Sequence, residues 1–305
     1  MINNKKVVIL LSSYNGGKNI KEQIESILNQ TYRNFTLIIR DDGSTDNTCR
    51  IIKKMAAMDE RITFIEDGKN LGYPGCFYYL TDNAPDADYY FFSDQDDYWL
   101  KDKIEHTIKV MEKFNSDIPL AYYARYRVCD SNLNPVNDSR ISKKSITLKK
   151  ALFEVCSLEF TMAINNTALK LLNANKPSFC TGRGTWMCML YAALGKIICD
   201  DYVCALYRRH ENTVTSSSMS GWGLFVWRFK NFFKNGGFAD YREILTDFNK
   251  TVGHRLDKKN KRMLHALSCK KYFPYVIIKT FYPCRFRSKL TDEIALRIAF
   301  LIGKL

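Results

Sequence analysis

Three carboxylates, Asp94, Asp96 and Asp97, follow an aromatic run, Tyr89-Tyr90-Phe91-Phe92, and lead into Tyr98-Trp99. Such a run reads as a buried strand. Strand side chains alternate faces, so Asp94 and Asp96 point the same way at its carboxyl end while Gln95 points elsewhere. Two carboxylates so placed suit a hard divalent cation. Mg2+ and Mn2+ prefer oxygen ligands, and Mg2+ commonly takes one or two carboxylates together with substrate phosphates. The chemistry implied is metal-assisted work on a phosphate-bearing substrate. An acidic turn capping a helix that begins near Leu100 accounts for the same residues without a ligand. The flanking Phe91, Phe92 and Trp99 weigh toward the metal.

The elements that must position these residues alternate along the chain. Val7 to Leu11 is a continuous aliphatic run of the kind found in parallel strands covered on both faces, and Asn15-Gly16-Gly17 turns after it. Ile20, Ile24, Ile27 and Leu28 recur at helical spacing, and Phe35 to Ile39 forms a second strand. Ser44, Thr45 and Asp46 offer caps for a helix carrying Ile51, Ile52 and Met55. Ile62 to Ile65 is a third strand, Phe77 to Leu80 part of a helix, and Tyr89 to Phe92 a fourth strand. This alternation predicts an α/β fold with a mostly parallel sheet and helices on both faces. Ligands of such sheets bind beyond the carboxyl ends of the strands. Ser13-Tyr14-Asn15, Asp41-Asp42-Gly43-Ser44 and Asp94 to Asp97 all fall there, although each alone is an ordinary turn or cap.

A chain of 305 residues, 46% hydrophobic and 13% aromatic, is long enough for a sizeable core and exceeds a single compact domain. Its ten cysteines include no Cys-x-x-Cys pair and read as reduced thiols of a cytoplasmic protein. The run from Val7 to Leu11 is too short for a secretory signal, and no apolar run approaches the roughly 20 residues of a membrane span. The expectation is a soluble or peripheral protein. Neither a phosphate-binding Gly-x-x-x-x-Gly-Lys loop nor a Gly-x-Gly-x-x-Gly fingerprint is present, which argues against a P-loop NTPase or a dinucleotide oxidoreductase. Most of the net charge of +14 lies after Ser216-Ser217-Ser218, where residues 216–305 carry 18 Lys and Arg against 6 Asp and Glu. That shift marks a boundary between 1–215 and a basic, aromatic-rich helical extension, 216–305.

The segments Val-Val-Ile-Leu-Leu-Ser-Ser-Tyr-Asn-Gly (7–16), Gln-Thr-Tyr-Arg-Asn-Phe-Thr-Leu-Ile-Ile-Arg-Asp-Asp-Gly-Ser-Thr-Asp-Asn-Thr (30–48) and Phe-Phe-Ser-Asp-Gln-Asp-Asp-Tyr-Trp (91–99) resemble the family 2 glycosyltransferases over roughly residues 5 to 215. The resemblance implies a GT-A fold and an inverting, metal-dependent hexosyltransferase. The Ser-Asp-Gln-Asp-Asp-x-Trp form is similar to the bacterial rhamnosyltransferase-like branch, which builds capsule, O-antigen and other cell-surface polysaccharides. It implies a dTDP- or UDP-sugar donor, Mn2+ or Mg2+, and a saccharide acceptor, commonly lipid-linked. Carried over by position, Ser13, Tyr14, Asn15, Asp41, Asp42, Asn70 and Arg208 fall to donor binding. Asp94 and Asp96 match the Asp-x-Asp motif that holds metal and diphosphate. Asp97 joins them in the catalytic group, and His210 becomes a further metal contact.

One position departs from that pattern. Inverting transfer needs a base for the acceptor hydroxyl, and the branch carries it in a Gly-His-Asp-x-Trp segment that aligns with Gly182-Arg183-Gly184-Thr185-Trp186. Gly184 stands where the acid is expected. Glu159, Asp200 or Asp201 could supply the base, the chain could be a nucleotide-sugar-binding pseudoenzyme, or this copy could carry a substitution absent from its parent. In the extension, Trp222, Phe225, Val226, Trp227, Phe229, Phe232 and Phe233 alternate with Arg228, Lys230 and Lys234, and Ile294 to Leu305 is again apolar. Aromatics beside cations suit peripheral contact with the inner membrane face, and helices packing on the catalytic domain suit them equally. No nucleic-acid-binding module accompanies the charge.

Overall fold

The computed structural model describes residues 4–141, 146–178, 182–209 and 239–305. These form two compact units: residues 4–141, 146, 155–176 and 182–209, and residues 147–154, 177, 178 and 239–305.

The first unit is an α/β sandwich around one sheet. Its elements are β1 (Val7–Ser13), α1 (Ile20–Leu28), β2 (Phe35–Asp41), α2 (Thr48–Ala56), β3 (Ile62–Glu66), α3 (Gly75–Asp82), β4 (Tyr89–Ser93), β5 (Tyr98–Trp99), α4 (Lys103–Met111), β6 (Leu120–Cys129) and β7 (Pro135–Asp138). After α5 (Leu148–Ala151), which belongs to the second unit, follow a 3-10 turn (Glu159–Thr161), β8 (Ala163–Asn165), α6 (Asn166–Ala174), α7 (Arg183–Leu194) and β9 (Lys196–Arg208). The strand order is β3-β2-β1-β4-β8-β6-β9-β5, with β7 beside β6. The first four strands are parallel, as is the β6–β9 pair, while β8 runs antiparallel to β4 and β6.

The sequence pattern explains the core. Val7 to Leu11 is buried throughout because β1 lies inside the sheet, between β2 and β4. Helix α1 turns Ile20, Ile24 and Ile27 inward, and each side chain so buried stabilises by about 1.5–3 kcal/mol. Asp46, one residue ahead of the N-cap position of α2, accepts the Thr48 amide at 2.9 Å, while Asn47 at that position makes no side-chain cap bond.

Two features of this topology position the site. The chain leaves β1 toward β2 on one side and returns to β4 on the other, so the β1 and β4 loops flank a topological switch point. Strand β8 pairs with β4 through Tyr89 opposite Asn165 and Phe91 opposite Ala163, and the Phe92 amide donates to the Met162 carbonyl at 3.4 Å. Followed backward from β8, the 3-10 turn at Glu159–Thr161 therefore runs past the carboxyl end of β4.

The second unit holds α5, α8 (Ala239–Val252), α9 (Lys258–Ser268), α10 (Tyr275–Thr280) and α11 (Leu290–Leu301). Phe153 is its centre, stacking on Tyr241 and meeting Phe286 and Phe300 edge-on. Asp257 caps α9 by accepting the amides of Lys259 and Asn260. The extension expected from the sequence is helical over the residues described; Trp222 to Lys234 lies outside them. Helix α11 is apolar on two faces, with Leu296 and Phe300 buried and Leu290, Ile294, Ile298 and Leu301 exposed. Among the described residues no helix is long and apolar enough to cross a membrane. The nine described cysteines are free thiols; Cys180 lies outside the described residues.

Candidate active site

The acidic loop leaves β4 at Ser93, a buried residue whose hydroxyl accepts from Gln23 at 2.7 Å and donates to the Asp94 carbonyl at 3.0 Å. Asp94 and Asp96 are partly open to solvent, whereas Asp97 is enclosed. Burial pushes the Asp94 carboxyl up to about 6, with Glu159 and Asp96 adding repulsion and Arg183 and Lys103 opposing it. Burial also drives Asp97 well above the ordinary range; Asp94 and Asp96 add to this, and Lys103 and the Arg208 amide oppose it. Neither Asp97 oxygen makes a hydrogen bond of good geometry. Beneath the loop, Lys103 is fully buried, donates to the Phe160 carbonyl at 2.6 Å and lies 3.5 Å from the Trp99 ring centroid. Burial pushes its ammonium down to about 8.

The β1 loop is joined to this loop by Gln95, which the sequence reading passes over. Its carbonyl accepts the Tyr14 amide at 2.8 Å and its amide donates to the Tyr14 carbonyl at 3.0 Å. A Cβ on Gly16 would meet the Gln95 oxygen at 2.2 Å, so glycine is what permits the approach. The Tyr14 ring is exposed. Asn15 holds the β2 loop instead: its amide donates to the Ser44 hydroxyl and its side-chain oxygen accepts the Thr45 amide, both at 2.8 Å.

Asp41 and Asp42, expected from the resemblance at the donor, are buried with their oxygens engaged inside the protein. Asp41 accepts from the Ser13 hydroxyl at 3.0 Å, the Ser44 hydroxyl at 2.6 Å, the Ser44 amide at 2.7 Å and the Gly43 amide at 3.1 Å. Burial raises its carboxyl, but the bonds from Ser44, Cys49 and Ser13 outweigh that and hold it below the usual range. Asp42 pairs with buried Arg40 at 2.6 Å and accepts the amides of Leu71 and Gly72, each at 2.8 Å. It thereby anchors the loop of Asn70, whose own oxygen accepts the Gly72 amide at 3.1 Å.

The space at Gly184 is filled. Glu159 of the 3-10 turn accepts the Gly184 amide at 2.7 Å and the Tyr73 hydroxyl at 3.0 Å, both through Oε1. A Cβ on Gly184 would lie 2.1 Å from that oxygen. The Glu159 carboxylate, from 25 residues earlier in the chain, thus fills the space beside Gly184. Next to it Arg183 is buried over the rings of Phe77 and Phe92, at 3.5 and 4.9 Å from their centroids, with no hydrogen bond from its guanidinium. The other acids considered from the sequence are tied elsewhere: Asp200 to His106 at 2.8 Å and Tyr122 at 2.9 Å, Asp201 to Arg125 at 3.1 Å.

Arg208, at the end of β9, is brought to the acidic loop but engages the protein. It donates to the Asp96 carbonyl at 3.2 Å, to the Ser131 carbonyl and to Glu22, which it also neutralises. His210 lies outside the described residues.

No three His, Cys, Asp or Glu side chains converge into a closed metal cage among the described residues. Asp94 and Asp96 are instead two partly open carboxylates on one loop, an all-oxygen donor set of the kind a hard cation takes together with substrate phosphates. Beside them, the two buried oxygens of Asp97 lack a hydrogen bond of good geometry, orphaned polar atoms at the same loop.

Comparison with known proteins matches residues 8–182 to the model of Glycosyl transferase family 2. The UDP-Glc:alpha-D-GlcNAc-diphosphoundecaprenol beta-1,3-glucosyltransferase WfgD of Escherichia coli is 27% identical over 215 residues, covering 69% of this chain and 80% of that protein. The E. coli enzyme of the same description, WfaP, is 40% identical over 106 residues, 35% of this chain and 41% of that protein. Glycosyltransferase GlyA of Streptococcus pneumoniae is 30% identical over 40% of this chain, and the match spans only 17% of GlyA. Among solved structures, Staphylococcus aureus TarS 1–349 in complex with UDP-GlcNAc superposes with a TM-score of 0.59 at 18% identity, over 98% of this chain and 80% of that one. The mannosyltransferase PcManGT of Pyrobaculum calidifontis, in complex with GDP-Man and Mn2+, gives 0.56 at 15% identity, over 98% and 86%. The two superpositions establish the fold, and a family model that accounts for more than half of the residues establishes the lineage: this chain belongs to glycosyltransferase family 2.

Proposed function

We propose that the protein is an inverting glycosyltransferase that moves a sugar from a nucleoside-diphosphate donor to a saccharide acceptor in surface polysaccharide synthesis. The observation that carries this reading is the position of Asp94 and Asp96 at the carboxyl end of β4, on the switch point, with Gln95 joining them to the β1 loop. The nucleoside lies against Ser13, Tyr14 and Asn15. Asp41 and Asp42 act on it indirectly, by fixing Ser13 and Ser44 on one side and the Asn70–Gly72 loop on the other.

The diphosphate lies at Asp94 and Asp96. A divalent cation held there supplies Lewis-acid stabilisation of the charge that grows on the leaving diphosphate. Lys103 and Arg208 support the corner from below and behind, the first by offsetting buried negative charge, the second by bracing the Asp96 backbone.

UDP-glucose is the first donor to test, because WfgD and WfaP are named for it; UDP-GlcNAc and dTDP-rhamnose complete the panel. The names of those relatives also support a lipid-linked acceptor, and the exposed apolar face of α11 supports peripheral contact of the second unit with a membrane. A ligand that binds the native state raises thermal stability by mass action. The test is thermal shift of the full chain against the three nucleotide sugars with and without Mn2+. A shift for one donor that requires Mn2+ and is lost in Asp96→Ala supports the proposal, and no donor-dependent shift contradicts it.

A further inference from the structure

We infer that Glu159 is the general base of sugar transfer, a carboxylate relocated from the α7 position of Gly184 to the turn before β8. The inference rests on the transferase reading above and adds to it the residue that takes the acceptor proton.

Three observations converge on Glu159. Its Oε1 lies where a side chain on Gly184 would project, 2.1 Å from the Cβ such a residue would have. The β4–β8 register carries its turn past the carboxyl end of β4, from which the Asp94 loop leaves, so it stands beside the proposed metal edge. It is held without being sealed: the Gly184 amide and the Tyr73 hydroxyl both bind Oε1, while the side chain stays partly open to solvent. A base must be fixed in direction and reachable by substrate. Asp200 and Asp201 are fixed by partners of their own, His106 and Tyr122 for the first and Arg125 for the second.

The step balances as a single displacement. The acceptor hydroxyl oxygen forms a bond to the anomeric carbon while the bond from that carbon to the diphosphate oxygen breaks. The electron pair leaves with the nucleoside diphosphate, and the hydroxyl proton passes to Glu159. Attack opposite the leaving group inverts the anomeric centre. Tyr73 is a positioning residue, since its hydroxyl aims the carboxylate.

A carboxylate bound to the Gly184 amide is also what a helix cap would be, so the test must separate the two roles. Glu159→Gln keeps an oxygen to accept the Gly184 and Tyr73 donors but cannot take a proton. Nucleotide release is measured with the full chain, Mn2+ and whichever of UDP-glucose, UDP-GlcNAc and dTDP-rhamnose turns over, together with donor affinity and melting temperature. The expected result is a fall in kcat between about 10^2- and 10^4-fold for Glu159→Gln, with affinity and melting temperature unchanged.

A second pair of variants moves the carboxylate back. Glu159→Gly is expected to be equally slow, and Gly184→Asp added to it is expected to recover at least tenfold, on the order of a factor within the range of general-base catalysis. Gly184→Asp alone crowds two carboxylates into one space and gains nothing. Glu159→Gln within threefold of the wild-type rate at equal affinity would overturn the inference and leave the transferase reading standing. A wild-type chain that binds a donor but never releases nucleotide removes the transferase reading and the inference with it.

Discussion

Gln95 clasps the backbone of Tyr14 with two hydrogen bonds, accepting its amide at 2.8 Å and donating to its carbonyl at 3.0 Å. The clasp makes one rigid edge of the β1 and β4 loops, which leave adjacent parallel strands on either side of the switch point.

Removing the clasp should cost donor affinity before it costs stability. Each bond contributes about 0.5–1.5 kcal/mol, so Gln95→Ala is expected to raise the donor Kd roughly tenfold. Isothermal titration with the donor in Mn2+ measures it. Gly16→Ala, which drives a methyl into the same side chain, should weaken binding in the same direction.

Asp41 makes a prediction about acid. Its oxygens accept hydrogen bonds from Ser13, Gly43, Ser44 and Cys49, and Asp41→Asn can match them only in part, so the variant should lose about 1–3 kcal/mol at pH 7. The folded-state carboxyl lies below its ordinary value of 3.8. Stability from the ionised form is therefore complete above that value and is lost as pH falls through the lower, folded one. Urea unfolding from pH 6 to pH 3 should show the gap between wild type and variant constant down to about pH 4 and narrowing below it.

The proposed peripheral contact rests on the second unit. Phe273, Ile277 and Phe281 around α10 and Ile294, Ile298 and Leu301 on α11 are exposed, with Lys270, Lys271 and Lys289 nearby in sequence. Apolar side chains flanked by cations suit an anionic interface. Flotation with vesicles containing phosphatidylglycerol should carry the protein at low salt, and Phe281→Ser combined with Ile294→Ser should weaken vesicle partitioning by at least about 10^2-fold, since the two lost apolar contacts together remove about 3–6 kcal/mol of burial. Equal flotation of variant and wild type would rule this face out.

Much of the fold was legible because strong local signals coincide with it. Val7 to Leu11 and Tyr89 to Phe92 are continuous apolar runs because they sit inside a sheet, and the acids that follow stand where the chain leaves it. The site was legible at the level of loops and less so at the level of contacts. Asp41 and Asp42 lie where the sequence puts them, but their oxygens are taken by Ser13, Ser44, Arg40 and the Leu71 and Gly72 amides, partners that short-range spacing does not reveal. Gln95 reads as a spacer between two acids until the β1 loop is folded against it. Gly184 reads as a loss until Glu159 is seen in the vacated space. The grouping of residues 147–154 with the C-terminal helices is likewise a matter of tertiary packing, through Phe153 and its ring of aromatics.

The most direct test of the proposed metal and diphosphate corner is nucleotide release from the donor by the wild-type chain and by Asp96→Ala, each with Mn2+ and with EDTA. The expected result is release by the wild type in Mn2+ alone, reduced by at least about 10^2-fold in the variant, a loss of several kcal/mol of charge stabilisation in the transition state. Release at the same rate in EDTA, or by Asp96→Ala in Mn2+, would contradict the assignment of Asp94 and Asp96 to that corner.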